Sequence, residues 1–330
     1  MMKKSIKTPK FWRKRGFWSK ILSPFARIYA SQTAKRLNNK GYKAKIPVIC
    51  IGNLTAGGAG KTPTAIFLAG YLIGQGKKVH FLTRGYGGAE NNPARVENND
   101  TAEFGDEAVL LSTIAPTWVG ADRGATAELA EKDGAEILIM DDGFQNPTLE
   151  KDFSLIVVDG EYGFGNGRVI PAGPLREPIA NGLKRADAIL IIGHESEELA
   201  AILKAYDLPK FHAELKISFE KYLHQENIIA FCALARPEKF YDSLERAGLM
   251  VAEKISYPDH YHYNENDLKK IFAIASERNG ITVTTAKDFV KIPDNLKMLV
   301  QLVKANLECK EFKKLQELID KFVKEKAPLI

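Results

Sequence analysis

The chain has 330 residues, 45% of them apolar and 27% charged, with a net charge of +6. That is the composition of a globular protein large enough for a sizeable core, and it excludes a disordered or fibrous chain. Cys50, Cys232 and Cys309 lie far apart and in no C-x-x-C spacing, which excludes a disulfide scaffold and a cysteine-based metal site and fits a reducing, cytoplasmic compartment.

The charge is uneven. Residues 1–89 hold 18 Lys and Arg and no acidic residue, whereas the remainder holds 29 basic against 41 acidic residues. A basic front end suits nucleic acid or an anionic membrane surface. Within it Phe17, Trp18, Ile21, Leu22, Phe25, Ile28 and Tyr29 recur at helical spacing, with Lys20, Arg27, Lys35 and Arg36 among or after them. This combination predicts an interfacial amphipathic helix; a core-packing helix after a basic tail is the competing reading. Pro24 either interrupts the helix or sits in its first turn. No apolar run approaches roughly 18 residues, so no transmembrane span is expected. Nor does an apolar stretch lead to a small-residue cleavage site, as in a signal peptide.

From residue 47 strands and helices alternate. Strands are predicted at 47–51, 79–83, 118–119, 137–140, 155–158 and 188–192, and helices at 61–75, 106–113, 122–132 and 197–205. The apolar runs are continuous, as in strands covered on both faces. The expected fold is α/β: a P-loop-type, mostly parallel sheet flanked by helices, with functional residues beyond the carboxyl ends of the strands. After about residue 221 the pattern restarts. Strands are predicted at 228–234, ending at Ile255, at 281–285 and at 298–303, and helices at 237–247, 266–277 and 311–324. Three segments follow: a basic amphipathic start (1–45) facing membrane or substrate, a P-loop domain (46–222), and a smaller α/β lobe (223–330) whose final helix is placed to pack back on the P-loop domain.

The first strand runs into Gly52-Asn53-Leu54-Thr55-Ala56-Gly57-Gly58-Ala59-Gly60-Lys61-Thr62-Pro63. The phosphate-loop pattern G-x-x-x-x-G-K-[ST] requires its first glycine where Thr55 stands. Strand, glycine-rich loop and helix nevertheless come in the right order. Backbone N–H groups from Thr55 to Gly60 would converge on phosphates, Lys61 would follow the β/γ-phosphates and Thr62 would hold Mg²⁺. Pro63 is tolerated in a first helical turn. Mg²⁺ also needs a carboxylate at a second strand end. Asp141-Asp142, after four apolar residues, has that form; Asp159 is a rival of the same form. The paired charge of Asp141 and Asp142, costly without a cation nearby, favours them.

With these motifs the sequence resembles the tetraacyldisaccharide 4'-kinases of lipid A biosynthesis. Residues 47–63 match that family's loop nearly throughout, Thr55 and Pro63 included. Further matches are Arg84-Gly85-Tyr86-Gly87, Gly105-Asp106-Glu107, Asp141-Asp142-Gly143-Phe144-Gln145, 171–178 (PAGPLREP), Ala235-Arg236-Pro237, Asp259-His260-Tyr261 and Lys287-Asp288. Two positions depart from the family pattern: Asn146 stands where His is usual and Ala108 where Pro is favoured.

The resemblance implies ATP- and Mg²⁺-dependent phosphorylation of the 4'-hydroxyl of a tetraacylated glucosamine disaccharide 1-phosphate. The partners implied are that acylated lipid and an anionic membrane surface, at the cytoplasmic face of the bacterial inner membrane, with no nucleic acid and no stable protein partner. Asp106 and His260 are implied as a base pair for the hydroxyl, with Asp106 favoured as the nearer group and the reverse order open. Alone, Asp106 reads as a helix N-cap and His260 as a structural histidine, with His262 its competitor. Arg123 is placed to reach the γ-phosphate or is a surface arginine at a helix start. Arg176 and Glu177 line the cleft or form a structural ion pair. Tyr86 and Glu107 are candidate substrate contacts, and Lys287-Asp288 has no role beyond the lobe interface. His260 lies in the other lobe from Lys61, so the lobes must meet if both act on one reaction. Two other functions remain: a membrane-associated P-loop NTPase coupling hydrolysis to a partner, and a nucleic-acid-binding protein using the basic arm. A guanine signature N-K-x-D is not matched by Thr285-Ala286-Lys287-Asp288, where Lys comes one place late.

Overall fold

The computed structural model describes residues 9–90 and 92–326. Helices α1 (Phe17–Ile21) and α2 (Ser23–Leu37) precede β1 (Val48–Gly52) and α3 (Lys61–Gly74). Next come β2 (Val79–Thr83), β3 (Ala94–Arg95), α4 (Thr101–Phe104), α5 (Asp106–Ser112), β4 (Thr117–Val119), α6 (Arg123–Lys132) and β5 (Ile137–Asp141). The chain continues through β6 (Phe153–Asp159), α7 (Ile179–Leu183), β7 (Ala188–Ile192), α8 (Glu197–Leu203) and β8 (Lys210–Ser218). It then forms β9 (Asn227–Cys232), α9 (Pro237–Arg246), β10 (Met250–Ser256), α10 (Glu265–Glu277), β11 (Gly280–Thr285), α11 (Ala286–Phe289), α12 (Asp294–Lys297), β12 (Val300–Cys309) and α13 (Phe312–Lys326).

All twelve strands belong to one sheet, in the order β10-β9-β11-β12-β8-β7-β6-β1-β5-β2-β4-β3. Pairing is parallel except for β3 with β4 and β12 with β8. The antiparallel β8–β12 pair therefore joins two parallel runs. β8 was not expected from the sequence. Its polar–apolar alternation, Lys210-Phe211-His212-Ala213-Glu214-Leu215, is the signature of a half-covered strand, and its inner residues Phe211 and Ala213 are the buried ones.

β1 lies between β5 and β6. On one side the order runs on to β2, on the other to β7, so the loop after β1 opens at the point where the winding reverses, the usual ligand crevice of such sheets. Every residue of β1 is buried. Ile49 and Ile51 pack with Leu68, Ala69 and Leu72 of α3, while Val48 and Cys50 face Leu138 and Phe144 on the other side. Helix α13 covers α3. Its Leu315, Ile319 and Val323 join the same cluster, the Phe312 ring lies 4.6 Å from Phe67, and the Tyr71 hydroxyl donates to Asp320 at 2.9 Å. Fully burying a residue such as Leu315 or Ile319 contributes about 2 kcal/mol.

At the front, both roles considered for Pro24 hold: the helix breaks at Leu22, and Pro24 sits in the first turn of α2. Phe17 (71% exposed), Trp18 (59%) and Phe25 (60%) are turned outward with Ile21 and Ile28. The preceding residues are clipped to the loop after β6: Trp12 Nε1 donates to Pro171 O at 3.1 Å, and Asn166 Nδ2 to Phe11 O at 2.9 Å. Among the described residues no helix is long and apolar enough to cross a membrane.

Candidate active site

The loop after β1 turns on two glycines with positive φ, Gly57 (123°) and Gly60 (91°), the latter capping α3. A side chain at position 60 would also crowd Ile192 Cδ1, 2.5 Å away, but it is the positive φ that calls for glycine there. Thr55 is not a misplaced phosphate glycine. Ala56 N–H donates to Pro174 O and Arg176 N–H to Leu54 O, each at 2.8 Å, and Thr55 forms an antiparallel bridge with Leu175. Buried in this short ladder, Thr55 pins the loop entry and does not face the cleft.

Where the loop enters α3, Thr62 Oγ1 donates to Asp141 Oδ2 at 2.7 Å. Asp141, at the end of β5, is buried, and its other oxygen has no hydrogen-bond partner. Burial, aided by the negative charge of Glu107, pushes its carboxyl up to about 7. Asp142 behaves oppositely. It takes a positive φ of 55°, faces Lys61 Nζ at 3.7 Å and accepts two bonds from Arg176 at 2.6 and 3.0 Å. Burial raises its proton affinity, but Lys61 and Arg176 outweigh that and hold the carboxyl at about 2. The rival Asp159 is bound instead by Arg236 at 3.0 Å and Lys239 at 2.6 Å.

Asp106 and His260 meet. Gly105, with φ 86°, is the N-cap of α5, which leaves Asp106 as the first helical residue rather than the cap. The Asp106 side chain, 3% exposed, lies with its two oxygens 3.0 and 3.1 Å from His260 Nδ1. His260 takes a positive φ of 58°, uncommon for a residue with a Cβ. Such strain at a site residue persists because its surroundings over-determine it. Burial raises the proton affinity of Asp106, but the His260 hydrogen bond and the Lys287 charge outweigh it, leaving the carboxyl at about 2. The Tyr86 ring stacks at a tilt, 4.9 Å from the His260 ring. His262 is exposed and outside the cluster.

Arg123 is not a surface arginine. It is 2% exposed, its guanidinium donates to Gly120 O, and it borders the same cleft as Lys61 and His260. Burial lowers its pKa to about 10. Asn146 braces this helix start. Its Oδ1 accepts from Thr148 N and Oγ1 at 2.9 and 2.8 Å, and Thr148 Oγ1 accepts from Arg123 N at 2.8 Å. Glu177 follows the second of its two readings: it is 2% exposed, with both oxygens bound by Arg185 at 2.6 and 2.7 Å. It is a structural ion pair beneath the cleft, while its neighbour Arg176 does line it.

One cleft of about 2440 Å³ is bordered by Gly57 through Thr62, Tyr86, Glu107, Arg123, Asp142, Arg176 and His260, and by Tyr29 and Arg36 of α2. Asp106 and Asp141 are buried in its wall. Two further groups were not foreseen there. Lys287 and Asp259 border the cleft, and Lys287 Nζ lies within 3.9 Å of Asp106, Glu107 and Asp259.

A parallel sheet whose central strand passes through a glycine loop into a Lys-Thr helix start, with a strand-end carboxylate on that threonine, defines a P-loop nucleotide-binding enzyme. The family model described as tetraacyldisaccharide-1-P 4'-kinase matches residues 18–324, and the chain belongs to that family. It is 44% identical over 307 residues to a tetraacyldisaccharide 4'-kinase of Paramagnetospirillum magneticum, covering 92% of this chain and 94% of the relative. It is 42% identical over 330 residues to the enzyme of that name from Rhodospirillum rubrum, covering 98% and 100%. Among solved structures, the "apo" form of LpxK from Aquifex aeolicus in complex with ATP is similar with a TM-score of 0.78 at 27% identity, covering 93% of this chain and 100% of that one.

Proposed function

We propose that the protein transfers the γ-phosphoryl group of ATP to the 4'-hydroxyl of a tetraacylated disaccharide 1-phosphate, giving the bis-phosphorylated lipid A precursor. The observation that carries this is the opening of two constellations onto one cleft: the phosphate loop with Thr62 and Asp141, and the Asp106–His260 pair.

In this mechanism the N–H groups of the loop from Gly57 to Thr62 hold the phosphates, Lys61 neutralises the β/γ-oxygens and Arg123 supplies charge to the transferring group. The buried, unpartnered oxygen of Asp141 beside Thr62 fits a divalent cation. Mg²⁺ would be held by Thr62 and Asp141, with Asp142 beyond, and would supply charge neutralisation on the phosphates. Among the described residues no group of three or more His, Cys, Asp or Glu is placed to hold a metal ion. Asp106 orients the sugar hydroxyl and takes its proton, with His260 holding the carboxylate in place. In a loose transition state little covalent chemistry is asked of the protein, so a carboxylate of low proton affinity suffices.

Residues 46–222 serve as the phosphate-handling domain and 223–330 as the lobe that brings His260. The outward Phe17, Trp18 and Phe25, flanked by Lys20 and Arg27, suit an anionic membrane surface. Tyr29 and Arg36 of the same helix pair border the cleft, so an acyl-anchored acceptor would reach the loop without leaving the bilayer. In this reading the enzyme works peripherally at the cytoplasmic face of the inner membrane. The test is transfer of labelled γ-phosphate from ATP to the acylated disaccharide monophosphate in detergent micelles. Nucleotide hydrolysis without transfer to the lipid would favour a coupled NTPase instead.

A further inference from the structure

Lys287 has no part in the mechanism above, yet its ammonium sits at the join between the lobes. Nζ is 3.2 Å from Glu107 Oε1, 3.3 Å from His260 Nε2 and 3.5 Å from Asp259 Oδ1, with Asp106 Oδ2 at 3.9 Å. Burial disfavours its charge, but Glu107, Asp106 and Asp259 outweigh this and raise its pKa above the ordinary lysine range. It is therefore a donor with no lone pair.

The two ring nitrogens of His260 thus face opposite demands. Nδ1 points at the oxygens of Asp106, a carboxylate that only accepts, so Nδ1 carries a hydrogen. Nε2 points at an ammonium that only donates, so Nε2 carries a lone pair. Asp259 Oδ2, the acceptor that would favour a proton on Nε2, is 3.9 Å away and out of hydrogen-bond reach. The remaining surroundings do not reverse this. Tyr86 covers a ring face without charge, and Lys291 lies 3.6 Å from Asp106, adding positive charge on the carboxylate side.

We propose that Lys287 is a positioning residue that fixes His260 as the neutral Nδ1–H tautomer, by donating to Nε2 from across the lobe join. The imidazole then donates to Asp106 and has no free basic nitrogen facing it. Asp106 is left as the group that takes the hydroxyl proton, which settles the order within the pair. The catalytic consequence rests on the kinase reading; the tautomer does not.

The test uses the full chain labelled with ¹⁵N-histidine, with His260 signals in two-bond ¹H–¹⁵N correlation spectra assigned by comparison with His260→Gln. At neutral pH the wild type should show a protonated Nδ1 and a bare Nε2. In Lys287→Met, Nε2 should gain a proton. The acid limb of kcat should then move to higher pH. Its kcat should fall at least about tenfold with KM for ATP within about twofold. Lys287→Arg, which keeps a charged donor, should retain the wild-type tautomer. A wild-type spectrum with the proton on Nε2 overturns the proposal whether or not the variants fold. So does Lys287→Met with reduced activity but an unchanged tautomer and pH profile, which would make Lys287 a lobe-bridging ion only. Failure of the wild type to phosphorylate the lipid would instead defeat the kinase reading and leave the tautomer result standing.

Discussion

Asp106 and His260 stand 154 residues apart in sequence, and their side chains meet at 3.0 Å. Asp106 belongs to the first parallel run of the sheet's flanking helices, and His260 to the loop after β10 in the second. If they act as a unit, Asp106→Ala should lower kcat by roughly 10²–10⁴-fold and His260→Ala by less. The double variant should be no more than a few-fold worse than Asp106→Ala alone, because coupled groups are not additive. Radiolabel transfer to the lipid measures this, and full activity in the Asp106 variant would falsify the base assignment.

The same pair leaves a trace in stability. The Asp106 carboxyl is lowered from its ordinary 3.8 to about 2. A carboxyl depressed on folding stabilises the protein at pH values above its unfolded value and loses that contribution as pH falls through the folded one. The contribution is about 2 kcal/mol. Urea unfolding should show Asp106→Asn destabilised by a constant margin between about pH 5 and 7, narrowing as pH falls below about 4. A margin that stays flat down to about pH 3 would contradict the paired carboxylate.

Arg176 spans the cleft to Asp142 with two bonds, at 2.6 and 3.0 Å. Arg176→Met leaves Asp142 with Lys61 and the charge of Arg123, and its carboxyl should climb from about 2 towards the ordinary range. The pair is partly exposed, so the loss of stability should be modest, about 1–2 kcal/mol, seen as a drop of a few degrees in Tm. Arg176→Lys should not restore it, because a single ammonium cannot reproduce the fork. An unchanged Tm in both variants would mean the pair contributes nothing to the fold.

Thr55 offers a test of the loop. Thr55→Gly recreates the general P-loop spelling but loosens the ladder with Leu175. It should cost about 0.5–1 kcal/mol of stability through backbone freedom while leaving KM for ATP within about twofold. A tenfold rise in that KM, measured at saturating lipid, would show that Thr55 contacts nucleotide after all.

The outward aromatics carry a separate expectation. Replacing Phe17, Trp18 and Phe25 together by Ser should weaken sedimentation with anionic vesicles by more than about tenfold. Transfer to detergent-dispersed acceptor should change little in kcat. Equal vesicle binding by the triple variant and the wild type would move the membrane contact elsewhere.

Much of this was legible in the sequence, and the omissions have physical causes. Strands such as Ala188–Ile192 are continuous apolar runs and announce themselves. β8 and the far half of β12 escaped because they alternate, with Glu214, Lys216, Lys304 and Glu308 turned to solvent at the join. The glycine loop was readable because backbone geometry dictates its spelling, and the Asp141-Asp142 pair because it follows a continuous apolar strand. Glu177 was left open between two readings and Lys287 without a role because no periodicity names their side-chain partners, Arg185 for one and Glu107, 180 residues away, for the other. The burial of Arg123 likewise depends on the loop braced by Asn146 and Thr148, which no periodicity encodes.

Helix α13 lies over α3, with Leu315, Ile319 and Val323 closing the apolar face beside the phosphate loop. The first nucleotide-handling helix is thus roofed by a segment synthesised long after it. A nascent chain that has already made Lys61 and Thr62 still lacks the lid of its own core until residues 312–326 emerge. Chains generally fold in the order they are synthesised, but here the apolar face of α3 stays uncovered until a much later segment emerges. A chain stalled before α13 leaves that apolar face uncovered, which should make it a target for chaperones and proteases.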